Sequence, residues 1–192
     1  ISELPGVYIA QGQFLNQESL DAVYGTYQHV PKKPFWYLKF SYNYLKDLGI
    51  PLSDEELLEM RNGTRLYLLP NTLNTEELEV MKAYLQESVT VKPGDLQTNF
   101  TENPKFMFKV YQPSRSIFTW SDSISYGTTS ENPVIFVSTP ENLYFMESAN
   151  LVVSGYNGLL KIRDRETMKQ VVSILETEFP DLKDNRLSFT TV

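Results

Sequence analysis

Pro133-Val134-Ile135-Phe136-Val137-Ser138 is an unbroken apolar run closed at both ends by proline, at Pro133 and Pro140. Five or six such residues, rich in β-branched and aromatic types, predict a strand buried on both faces. Arg65-Leu66-Tyr67-Leu68-Leu69, stopped by Pro70, has the same character and predicts a second central strand. Around this pair the rest of the chain falls into place. Phe35-Trp36-Tyr37-Leu38-Lys39-Phe40 follows the Pro31 to Pro34 break and reads as an aromatic-rich strand. Ser53-Asp54-Glu55-Glu56 is a capping box, opening a short helix that ends before the Asn62-Gly63 turn. Asn74 caps a helix with Leu78, Met81 and Leu85 on one stripe.

Further along, Lys92-Pro93-Gly94 begins a polar linker to about Pro104. Phe106 to Tyr111 and Ile117 to Trp120 flank Gln112-Pro113-Ser114-Arg115 and predict a hairpin. Pro140 and Glu141 start a helical segment through about Asn150, and Gly155 and Gly158 bracket a turn before a strand at 159–162. Asp164 caps a helix carrying Met168, Val171, Val172, Leu175 and Phe179, which Pro180 ends; Arg186 to Val192 alternates as a last strand. Strands and helices thus alternate imperfectly. The pattern predicts an α+β fold, a mixed sheet with helices packed mainly on one face, rather than a doubly wound parallel sheet. Residues 1–34 are set apart as an N-terminal segment, with a strand starting at Val7 and a short helix over 18–24; 35–192 form the α+β domain.

The bulk numbers bound the function. The chain has 192 residues, 41% hydrophobic and 13% aromatic, enough for a substantial core without staples. With 17 Lys plus Arg against 24 Asp plus Glu, its formal net charge is −7. No basic patch is available to neutralise phosphates, which argues against nucleic acid as a partner. Cysteine is absent, which removes disulfides, zinc–thiolate sites and thiol nucleophiles together. No apolar run approaches the length of a membrane span. The chain begins at Ile1 and reads as a piece of a larger protein.

Catalytic constellations fail one by one. His29 is the only histidine, no G-x-S-x-G elbow accompanies it, and it lies in a proline-flanked loop. Metal ligation and cofactor binding therefore find no donor set, and neither a Walker A sequence nor G-x-G-x-x-G is present. Glu55-Glu56 and Glu76-Glu77 could in principle supply an acid–base pair, but both sit where a first helical turn wants negative charge. Asn62 and Asn99 open glycosylation-type triplets, read here as chance matches. Glu141-Asn142-Leu143-Tyr144-Phe145-Met146 resembles a viral-protease tag site, but Met146 departs from it and the segment reads as native. The aromatics offer a positive feature: Tyr37, Tyr42, Tyr44, Trp120 and Tyr126 compose either an exposed contact face or ordinary strand packing.

Three stretches carry a family resemblance. They are Phe40-Ser41-Tyr42-Asn43-Tyr44-Leu45 with Arg65 to Pro70, Val110 to Trp120, and Asn132 to Thr139 leading through Asn150 to Ser154-Gly155 and Leu160-Lys161-Ile162. Together they resemble the extracellular portion of the bacteriocin-associated integral membrane proteins. Those immunity-type proteins of Gram-positive bacteria are similar in plan to the permeases of MacB/FtsX-type transporters. The resemblance implies a non-enzymatic sensing or coupling domain on the extracellular face of the cell membrane. Its implied partners are transmembrane helices of the same parent protein, an ABC-type ATPase subunit and a bacteriocin-like peptide. It carries over no active-site residue and no cofactor. The alternative from the residues is a surface-attached ligand-binding or adhesion module.

Overall fold

The computed structural model describes residues 4–89, 103–121, 124–144, 147 and 160–178. Its strands are β1 (Val7–Leu15), β2 (Phe35–Ser41), β3 (Arg65–Pro70), β4 (Phe106–Tyr111), β5 (Ile117–Phe118), β6 (Thr129–Ser130), β7 (Val134–Ser138) and β8 (Leu160–Ile162). Its helices are α1 (Gln17–Asp21), α2 (Tyr42–Asp47), α3 (Asp54–Arg61), α4 (Thr75–Ser88) and α5 (Arg165–Glu178). Six strands form one mixed sheet in the order β4-β3-β7-β2-β1-β8, while β5 and β6 pair separately. Two neighbouring pairs, β3 with β4 and β2 with β7, run parallel, and the other ladders are antiparallel. The chain is an α+β protein, as its imperfect alternation of patterns predicts.

Period-two alternation sorts the central strands into two cores. One face gathers Ala10, Leu38, Phe40, Leu66, Leu68, Ile135 and Val137 beneath Leu45 of α2 and Met60 of α3. The other gathers Tyr67, Leu69, Val134 and Phe136 beneath Leu20 of α1 and Met81, Tyr84 and Leu85 of α4. Helical cover is divided: the long α4 with α1 lies on one side, the short α2 and α3 on the other. This two-sided cover buries every residue of β3 and of β7. Each buried leucine or phenylalanine there contributes roughly 1.5–3 kcal/mol relative to exposure.

Both expected caps form, and each closes as a capping box. Ser53 and Glu56 exchange side-chain and backbone bonds at the start of α3, as do Asn74 and Glu77 at the start of α4. Met81, Tyr84 and Leu85 then bury one stripe of α4 against the sheet. Asn74→Ala removes the acceptor for the Glu77 N–H and is expected to cost about 1 kcal/mol. Thermal unfolding followed by circular dichroism should show a Tm lower by about 2–4 °C for a chain of this size.

Two local expectations are corrected. Phe106–Tyr111 and Ile117–Phe118 do not form a hairpin with each other. Strand β4 pairs parallel with β3, the α4 connection being long enough for that crossover, and β5 pairs with β6. Nor does Pro140 begin a long helix among the described residues: Pro140–Asn142 make a single 3-10 turn capped by Thr139. Helix α2, six residues rich in Tyr and Asn, is a finding that no propensity announced. Segment 1–34 supplies β1, which bonds β2 on one side and β8 on the other. The expected turn at Gly155–Gly158, the Pro180 stop and the strand at 186–192 lie outside the described residues. No described helix is long and apolar enough to cross a membrane.

Candidate functional site

The five aromatic candidates separate along the pleat. Tyr37 is on the α4 side of β2 and packs against the second core, beside Tyr67. Tyr42 opens α2 and packs against the first core. Tyr44, Trp120 and Tyr126 remain on that first side, where the β5–β6 unit crosses β1. The pleat therefore corrects the idea of one face holding all five: alternation along Phe35–Phe40 turns Tyr37 away from its neighbours.

The crossing of β5–β6 over β1 depends on Gly12. A Cβ there would meet the Thr119 carbonyl oxygen at 1.9 Å and Leu38 Cδ2 at 2.9 Å, so the two backbones approach as only glycine permits. Immediately after Thr119, Trp120 adopts a left-handed backbone with φ 53°. An aromatic residue seldom accepts that conformation, which costs about 1–3 kcal/mol and must be held by its surroundings. The holding contacts are on the side chain. Its indole N–H donates to the Tyr44 hydroxyl oxygen at 2.8 Å, and the rings sit 6.1 Å apart at 70°. Tyr44 in turn packs on Phe40 at 4.9 Å and Tyr8 at 5.0 Å.

Outward of Trp120 lie Phe118, edge-on at 4.8 Å, and Lys161, whose ammonium is 5.0 Å from the indole centroid. Phe118 is 39% exposed and Tyr126 is 47% exposed. Tyr126 stacks on Phe14 at 4.5 Å and accepts a bond from the Asn16 amide at 2.9 Å. The result is an aromatic ridge, Phe118–Trp120–Tyr44 with Tyr126–Phe14 beside it, exposed along its crest and anchored at its base. Beneath it the Tyr8 hydroxyl donates to Asp47, and burial, then that carboxylate, push its pKa up to about 12. Tyr8 therefore keeps its proton at neutral pH.

A second cluster, which the reading of the sequence missed, occupies the opposite face. Arg65 is 0% exposed and donates two parallel bonds to Glu147, Nη1 to Oε2 at 2.6 Å and Nη2 to Oε1 at 3.0 Å. It also donates to the Asn142 carbonyl at 3.0 Å and the Tyr67 hydroxyl at 3.1 Å. Its guanidinium lies 4.1 Å from the Phe136 ring centroid and 4.6 Å from that of Tyr144. The Lys39 ammonium approaches the same Glu147 Oε1 at 3.8 Å and Phe136 at 5.7 Å, and makes no hydrogen bond among the described residues. Burial holds the Lys39 pKa below the ordinary lysine range, with Glu147 opposing and Arg65 reinforcing. Burial would raise Glu147, but hydrogen bonds and charge from Arg65 outweigh it and leave its pKa depressed. The available signal was Arg65 itself, a cation opening a strand otherwise apolar, since a buried charge requires a partner. Its partner 82 residues away had no signal.

The remaining candidates are engaged structurally. Glu56 and Glu77, besides closing their boxes, bind Lys109 at 2.9 Å and Lys33 at 2.7 Å. His29 Nδ1 lies 2.5 Å from Glu87, whose other oxygen accepts the backbone N–H groups of Gln28 and His29, so this pair ties the loop before β2 to α4. Among the described residues no group of three or more His, Asp or Glu side chains is placed to hold a metal ion. No family model, curated protein or solved structure matches this chain.

Proposed function

We propose that the chain is a non-enzymatic sensing and coupling domain of a transporter-like membrane protein, acting on the extracellular face through the aromatic ridge. The observation that carries this reading is Trp120, held left-handed and partly buried between Phe118, Tyr44 and Lys161. Strain retained at a surface aromatic has no use in a core, and rigid aromatic side chains make contact area at low entropic cost. The resemblance to bacteriocin-associated membrane proteins supplies the setting: a bacteriocin-like peptide as the contacted partner, an ABC-type ATPase as the motor, and the parent's transmembrane helices as the coupled element. The central sheet supplies a rigid body able to transmit a push from the ridge.

A surface-attached adhesion module is the second reading, favoured by the exposed Tyr126 stacked on Phe14. Flanking hydrophobic spans in the parent reading frame support the first reading, and a cell-wall anchoring signal supports the second. The direct test replaces Trp120 by Ala in the intact parent protein and measures cell sensitivity to the co-encoded peptide. Loss of a central aromatic contact costs about 2 kcal/mol or more, so the response should shift by roughly 30-fold in peptide concentration. Unchanged sensitivity and export with normal surface expression would defeat the proposal.

A further inference from the structure

We propose that the carboxyl end of the parallel β2–β7 pair binds a small oxyanion, held by the Lys39 ammonium and the Ser138 hydroxyl. This site lies on the opposite face from the ridge and does not depend on the coupling reading.

The topology supplies the first argument. Strands β2 and β7 are parallel neighbours, with Ser41 opposite Ser138 at their carboxyl ends. Beyond Ser41 the chain enters α2 and packs through Leu45 on one face; beyond Ser138 it turns through Pro140–Asn142 and packs Leu143 on the other. The carboxyl ends of adjacent parallel strands are where open sheets bind their ligands.

The side chains supply the second, independent argument. Lys39 pairs with Phe136 and so lies on the same face as Ser138, two positions away diagonally. The β3–β7 register, carried one residue beyond Leu66–Val137, sets Arg65 beside Ser138. Two cations, Arg65 and Lys39, therefore share one carboxylate, Glu147. Arg65 commits four of its five N–H donors to Glu147, Asn142 and Tyr67, whereas the Lys39 ammonium makes no hydrogen bond among the described residues. The hydroxyls of Ser138 and Tyr144 are buried and likewise without a hydrogen-bond partner. Buried polar groups almost always find partners, and those that do not call for an explanation. Among the described residues here each unpartnered group can donate, and Arg65, Lys39 and Glu147 together leave one positive charge. An oxyanion supplies both the acceptors and the missing charge.

Isothermal titration of the whole chain with inorganic phosphate and with acetate, at constant ionic strength in chloride, tests the site. One of these probes should saturate at one per chain. Phosphate alone responding assigns a phosphoryl group, acetate alone a carboxylate, and both a general oxyanion site. Lys39→Met and Ser138→Ala should each weaken binding tenfold or more, while Lys32→Met, at an exposed lysine paired with Glu76, should leave it unchanged. Ser138→Ala removes only an unbonded hydroxyl, so it decides the matter if Lys39→Met does not fold. Failure of both probes to saturate, or wild-type affinity in a folded Lys39→Met, overturns the proposal.

Discussion

Replacing Arg65 with Met is expected to destabilise the chain by about 3–5 kcal/mol, the largest single loss among these predictions. The substitution keeps volume but leaves Glu147 with only the Tyr144 N–H and the Lys39 ammonium beside it among the described residues, and removes the donors to Asn142 and Tyr67. Glu147, 28% exposed, loses its two forked donors and keeps only the longer pairing with Lys39 at 3.8 Å, and this poorly solvated carboxylate sets the size of the effect. The double substitution Arg65→Met with Glu147→Met should recover part of the loss, because it removes the stranded carboxylate while leaving the Lys39 ammonium without its ion-pair partner. Urea unfolding at pH 7 across the four-protein cycle measures this. A double variant as unstable as Arg65→Met would mean that packing, not charge, dominates the site. The pH dependence has a definite sign. Glu147 is depressed below the ordinary carboxylate value of 4.5 in the folded state, so its contribution is complete above that pH. It is lost as pH falls through the lower folded value. Glu147→Gln should accordingly flatten the acid limb of the stability profile.

Gly12→Ala should cost about 3 kcal/mol, and Gly12→Val more, with consequences concentrated in the ridge. Elsewhere in a strand an added methyl stabilises by roughly 0.5–1 kcal/mol, so the sign alone is diagnostic. The added carbon would meet the Thr119 carbonyl at 1.9 Å, a backbone atom that cannot rotate aside. Relief requires β5–β6 to lift from β1, which frees Trp120 from Tyr44 and from its left-handed backbone. Trp36 and Trp120 are the only tryptophans, so a Trp36→Phe background makes Trp120 the reporter. Its emission should shift to the red in Gly12→Ala, and the coupled function should fall with it. An unshifted spectrum with full stability would show that the close approach at Gly12 does not hold the ridge.

Apolar runs and caps are local signals, and they reached far in this chain. The run Val134–Val137 named the central strand because a strand covered on both faces tolerates no polar alternation. Ser53-x-x-Glu56 and Asn74-x-x-Glu77 named two helix starts because a cap is made within four residues. The β4–β5 hairpin was misread for the same reason: proximity in sequence favoured it, while the actual partner of β4 is β3, reached through a whole helix. Three of the five aromatic candidates stay at the ridge, Tyr42 is partly buried on the same side of the sheet at α2, and Tyr37 is lost to the far face by the pleat.

The sequence by itself determined an acidic, cysteine-free α+β chain, the position of its central strands, and the residue types on offer: aromatics in number and a single histidine. Tertiary structure alone decided which of those residues meet. Gly12 under Thr119, Trp120 on Tyr44, and Arg65 and Lys39 on Glu147 join residues 76 to 108 positions apart. Such contacts are selected by sheet order and register, which arise from the summed burial of two cores and leave no mark at any one position.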